Sequence, residues 1–195
     1  MESDHQPLPW PDSSTNLFVE GAHFQLSPTL PVTFNESNWT SYAEGYYLAA
    51  ERLVEFVEQK LMYGGLLIYP ITFMYRHYTE LRIKELILRI SRLNGNDVSS
   101  KVSGHDLKKL WSRCRPLIES LEPTPEPQDI SNVERLVLEL HYHDPKSTDA
   151  RYPDNPNVFS GMKSIDMVNL RLGMSKLAAF MNGTTDMVIE YSTNP

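Results

Sequence analysis

The sequence predicts a mainly α protein: a bundle of four or five helices, an irregular proline-rich N-terminal extension and a short terminal β pair. Three observations lead there. Apolar residues recur at i, i+3, i+4 and i+7 through most of the chain from residue 41 onward. Helix-capping residues and Gly, Asn or Pro stops punctuate those stretches. Only two short stretches, 17–26 and 187–191, read as strands, and they are the expected terminal pair.

Residues 1–38, with Pro7, Pro9, Pro11, Pro28 and Pro31, form the irregular extension, and a helical domain spans 39–195. Tyr42, Tyr46, Ala49, Ala50, Leu53, Phe56, Val57 and Leu61 form the apolar stripe of a first helix. Ser41 is its expected cap, with Glu44 completing a capping box. Gly64 and Gly65 break it. A second helix covers 69–93, with Pro70 in its first turn and Asn94-Gly95-Asn96 at its end. Ser103-Gly-His-Asp106 matches a capping box and launches a third helix, DLKKLWSRCRPLIESL, which Pro116 should kink or interrupt. Pro123, Pro125 and Pro127 form a stiff linker. Ser131 caps a fourth helix through Val133, Leu136, Val137 and Leu140. Residues 141–159 form a polar loop. A fifth helix covers 165–181, from Ile165, Val168, Leu172, Leu177 and Phe180, and Gly183 closes it.

Hydrophobic content of 41% and charged content of 22% are globular values, enough for a buried core in 195 residues. The single cysteine, Cys114, excludes an internal disulfide. Together with an N-terminus lacking a basic start and an apolar core, this leads us to expect a cytoplasmic protein. No apolar run is long enough for a membrane span. The net charge of −7 argues against a nucleic-acid-binding coat over the whole surface. The distribution is uneven. Residues 70–115 hold ten Lys or Arg against four acids, whereas 1–69 hold two against nine and 116–160 three against nine. The basic middle is either an anion-binding face or a segment that packs against its acidic flanks.

Five constellations could carry chemistry. Arg76, His77, Glu80 and Lys84 fall three or four residues apart, on one side of the second helix. Arg76–Glu80 and Glu80–Lys84 are i,i+4 ion pairs, so the stripe is either a salt-bridged face or part of a site. Gly104-His105-Asp106-Leu-Lys108-Lys109 combines a helix N-terminus with two lysines, an arrangement that favours anions. The alternative is that Asp106 caps and His105 fills the turn. Arg135 and His141 are separated by five residues, which sets them about 120° apart around a helix. An Arg with a His is the equipment of metal-free RNA cleavage, the His moving the 2′-hydroxyl proton and the Arg holding phosphate charge. His141-Tyr-His143-Asp144 has metal-ligand residue types but no further ligands at fixed offsets, so neither metal nor other cofactor is expected. Arg151, in Asp-Ala-Arg-Tyr-Pro, is either a recognition corner or a loop anchor. Phosphate-binding glycine loops and nucleophile elbows are missing. Cys114 between Arg113 and Arg115 would be activated if exposed but reads as packed.

The stretch YPITFMYRHYTELRIKELI followed by GHDLKKLW resembles the second and third helices of HEPN-like proteins, and DPKSTDARYP resembles a later segment of some members. The likeness covers roughly residues 42–182. It implies a helical bundle, a homodimer and, in many members, a metal-independent endoribonuclease of toxin–antitoxin, antiviral-defence or RNA-processing systems. Other members only bind. The family's catalytic signature, Arg-x(4–6)-His, maps to Arg135 and His141. Nuclease members usually carry a polar residue directly after the Arg, where this chain has Leu136. The resemblance therefore leaves two functions open: an endoribonuclease, or an inactive module that binds RNA, a nucleotide, or an antitoxin or other defence-system partner.

Overall fold

A computed structural model of the chain describes residues 10–11, 13–21, 36–60, 63–96, 102–154 and 158–193. The chain divides into two units, Met1–Phe34 and Asn35–Pro195. In the first, the described residues carry no regular element, and Trp10, Leu17 and Phe18 are exposed. Among its described residues the second holds five helices: α1 (Glu36–Lys60), α2 (Gly64–Leu93), α3 (Leu107–Glu119), α4 (Pro127–His143) and α5 (Met167–Thr193), with a 3-10 turn at Asp149–Arg151. No strand occurs among the described residues.

α2 is the axis of the bundle. It packs against α1, α3, α5 and the 3-10 turn, while α3 meets α4, and α5 meets α4 and α1. Ile71, Tyr75, Tyr78, Ile83, Leu86, Ile87 and Ile90 are fully buried along it. A helix enclosed on most sides has no solvent face on which to place charge. Arg76, Glu80, Arg82, Lys84 and Glu85 are accordingly buried as well, and each must find a partner inside the protein.

Several boundaries differ from the sequence expectation, each for a local reason. α1 begins at Glu36, ahead of Ser41, and Glu44 pairs with Arg82 of α2 instead of closing a capping box. Its buried face is Ala43, Ala50, Val54 and Val57, while Tyr42 and Phe56 are exposed. α2 starts at Gly64, which puts Pro70 inside the helix. The carbonyl that Pro70 cannot pair belongs to Leu66, an exposed residue that water can serve. α3 begins where expected, but its cap is Asp106, whose carboxylate accepts from the Lys109 N–H at 3.0 Å. The helix passes through the exposed Pro116 and stops three residues later.

Pro127 is the first residue of α4, not the end of a linker, and Ser131 donates to the Pro127 carbonyl inside the helix. α4 also runs on to His143, into the expected loop. α5 continues through Gly183 to Thr193, so residues 187–191 are helical. Leu177, Met181, Thr184, Thr185 and Val188 are buried at helical spacing, and this packing outweighs the helix-stopping tendency of glycine. Of the other expected strand, residues 17–21 are irregular and 22–26 lie outside the described residues.

Candidate functional site

The α2 stripe meets the start of α3 and the end of α4. The Arg76 guanidinium is fully buried and spends its donors on three elements. It donates to Glu80 at 2.9 Å within α2, to the His105 carbonyl at 2.5 Å ahead of α3, and through Nε to the Asp144 carbonyl at 2.7 Å after α4. The Asp144 carboxylate lies 3.8 Å from the same Nε. Its other oxygen accepts from the Thr148 and Asp149 N–H groups, which shapes the turn leading to Arg151. Arg76 is thus a three-way tie between chain segments far apart in sequence.

Glu80 is the anionic hub. Its carboxylate takes Lys84 Nζ at 2.7 Å and His105 Nδ1 at 2.8 Å, in addition to Arg76. Burial alone would raise this carboxyl, but Lys84, His105 and Arg76 together hold it below the ordinary value of 4.5. A charged carboxylate can only accept, so His105 carries its proton on Nδ1. The His105 side chain is 63% exposed, making it the one member of the cluster a ligand could reach easily.

His77 belongs to the stripe in sequence but not to the network. Its ring stacks on Phe73 at 5.7 Å and meets Tyr46 edge-on at 4.4 Å, and its Nδ1 has no partner. Burial depresses its basicity below the ordinary 6.5, with Glu80 pulling the other way. It packs as a neutral aromatic ring.

Arg135 and His141 do not meet. Arg135 is 68% exposed and reaches Glu139 at 3.5 Å on its own helix. His141 turns towards α3, its Nδ1 3.6 Å from the Asp106 carboxylate, beyond hydrogen-bond range. Lys108 and Lys109 are exposed on α3, Lys109 lying 3.9 Å from Asp106. Arg151 is exposed, and its guanidinium sits over Phe73 at 5.3 Å and Tyr152 at 5.9 Å. Among the described residues no group of three or more His, Cys, Asp or Glu side chains is placed to hold a metal ion.

The basic middle of the sequence is largely consumed internally. Arg76, Arg82, Lys84, Arg89 and Arg115 all pair with carboxylates. Arg82 joins Glu85 at 2.8 Å and reaches across to Glu44, tying α2 to α1. Exposed among the described residues of this stretch are Arg92, in the last turn of α2, and a smaller patch on α3 formed by Lys108, Lys109 and Arg113. A further hub went unnoticed in the sequence: Arg171 of α5 takes Glu51, Glu55 and Glu58 of α1 at 2.9, 3.1 and 2.9 Å. The three acids at i, i+4 and i+7 were the available signal, because such a stripe invites a cation.

Among the described residues, no helix is long and apolar enough to cross a membrane. Comparison of the chain with protein-family models, characterised proteins and solved structures gives no match.

Proposed function

We propose that the chain is a HEPN-like helical module that binds RNA through the exposed cations at the start of α3, in a bacterial defence or toxin–antitoxin setting, without cleaving it. One observation carries the reading: the two residues of an Arg–His cleavage pair face different ways, Arg135 towards Glu139 in solvent and His141 towards Asp106. Lys108, Lys109 and the exposed His105 instead project from a platform that Arg76 and Glu80 hold rigid. Phosphates are attracted by such a patch of exposed lysines. On this reading the Arg76–Glu80–Lys84 network fixes the platform and does not touch the ligand. The setting is cytoplasmic, and an antitoxin or another defence-system protein is the natural partner.

A second reading is a metal-independent endoribonuclease whose Arg135 and His141 combine across the two-fold axis of a homodimer. It is favoured by the Asp106 carboxylate 3.6 Å from His141 Nδ1, a gap that must close to hydrogen-bond distance for that carboxylate to orient the ring for proton transfer. Labelled single-stranded RNA incubated with the protein in EDTA separates the two. The binding module retards the RNA and leaves it intact. EDTA-resistant cleavage that disappears in His141→Ala overturns that reading in favour of the nuclease.

A further inference from the structure

On the bundle flank bounded by α2, α4, α5 and the segment 158–166 lies a cavity of about 340 Å³. That is the size of a small-molecule site. Its walls are mainly apolar, with Leu136 and Leu140 from α4, Leu170 and Met174 from α5, and Phe159 and Met162 from the segment 158–166.

Three features separate it from a packing defect. The first is a pair of stranded polar atoms. Thr72 lines the cavity, is only 5% exposed, and its hydroxyl has no hydrogen-bond partner. Thr79, Thr184 and Thr185, buried on helices of the same bundle, each donate to the carbonyl four residues back, so that option is not taken at Thr72. His143 also lines the cavity, and its Nδ1 is buried and unpartnered. Both atoms are out of a water molecule's reach, and because neither holds a hydrogen bond, turning either side chain towards the space would break none.

The second feature is Gly173, in the interior of α5, where glycine weakens a helix. A Cβ at that position would meet nothing within 4 Å. Contact with neighbouring atoms therefore does not require glycine there, and the missing side chain contributes to the open volume.

The third feature is the sign of the lining. Its charged side chains are Glu139 and Asp166, and no Lys or Arg joins them among the described residues. An anionic ligand would meet two carboxylates, and Arg135, paired with Glu139 at 3.5 Å, is not part of the lining. Aromatic and sulfur groups are at hand, since the His143 and Phe159 rings lie 5.5 Å apart at 47° and two methionines flank the space.

We infer that this cavity binds a non-anionic aromatic small molecule that presents an N–H or O–H to the Thr72 hydroxyl and His143 Nδ1. This site is separate from the α3 patch and stands whether or not that patch binds RNA. Calorimetric titration of the full chain with indole, tryptamine and indole-3-acetate tests it, since the three probes share a ring system and differ in charge. Indole should bind in the sub-millimolar range, tryptamine at least as tightly, and indole-3-acetate at least about tenfold more weakly, a factor that corresponds to about 1.4 kcal/mol. Gly173→Leu, which fills the space, should abolish indole binding. Gly173→Ala should weaken it while leaving the circular dichroism and urea midpoint at or above the wild-type level. Thr72→Val, which keeps the shape and removes the hydroxyl, should weaken indole several-fold. Failure of indole and tryptamine to bind at millimolar concentration overturns the inference. So do indole affinity unchanged in both glycine variants or in Thr72→Val, and tighter binding of the acetate.

Discussion

Replacing Glu80 by Gln tests whether the buried network holds the bundle together. The change keeps size and shape but removes the charge that Arg76, Lys84 and His105 share. Glutamine has one acceptor oxygen, and its NH2 must then face a donor. Arg76 retains the carbonyls of Asp144 and His105, so most of the loss falls on Lys84, which is 7% exposed. Removing one partner of a buried ion pair costs about 3–5 kcal/mol. The exposed ring of His105 places this case near the lower end, at about 3 kcal/mol. With a urea slope of about 2 kcal/mol per molar for a domain of this size, the midpoint should fall by about 1.5 M at neutral pH. Circular dichroism at 222 nm during urea titration measures it. Arg135→Ala, which breaks an exposed pair on α4, is the control and should stay within about 0.5 kcal/mol. The acid limb adds a second readout. Glu80 is held below its ordinary value of 4.5 when folded, so its stabilisation is present above that value and disappears as the pH falls through the depressed one. The wild-type and Glu80→Gln curves should therefore converge in acid. A midpoint shift no larger than that of Arg135→Ala, or a gap that persists in acid, would refute the reasoning.

Three further outcomes are expected. Because burial depresses His77 below 6.5, the unfolded chain binds the extra proton first, and wild-type stability should decline as the pH drops below about 6.5; His77→Phe, seated between Tyr46 and Phe73, should flatten that part of the profile in urea titrations. Gly183→Ala should raise stability by about 0.5–1 kcal/mol, because the position is interior to α5 and has open space around a Cβ; a glycine that ended the helix would give the opposite sign in thermal melts. Cys114 is fully buried and burial pushes its thiol well above the ordinary range, so a thiol-specific reagent should label it only at the rate of unfolding, and prompt labelling of the native protein would contradict its packing.

What could be read from the sequence depended on whether the governing interaction was local. The Arg76–Glu80 and Glu80–Lys84 pairs and the Asp106 helix start are short-range features, visible as i,i+4 and i,i+3 spacings. The burial of that stripe was not visible, because it depends on α2 being enclosed by α1, α3 and α5. The same holds for Arg82 with Glu44 and Arg171 with Glu51, partners 38 and 120 residues apart. Gly183 and the Met187-Val-Ile run carried local signals for a stop and a strand, and both yielded to the buried face ending at Val188. Arg135 and His141 show the converse case. Their spacing is a real feature of α4, but spacing along one helix does not say which neighbour each side chain meets.

The most direct test of the proposed function is the salt dependence of RNA binding. Fluorescence anisotropy of a labelled single strand would be followed over a salt series for the wild type and for the Lys108→Glu/Lys109→Glu double variant. If the exposed lysines of α3 each neutralise one phosphate, the slope of log affinity against log salt should become shallower by about 1.4, from about 0.7 per contact on single strands. Binding with an unchanged slope and affinity in the double variant would contradict the assignment of that face.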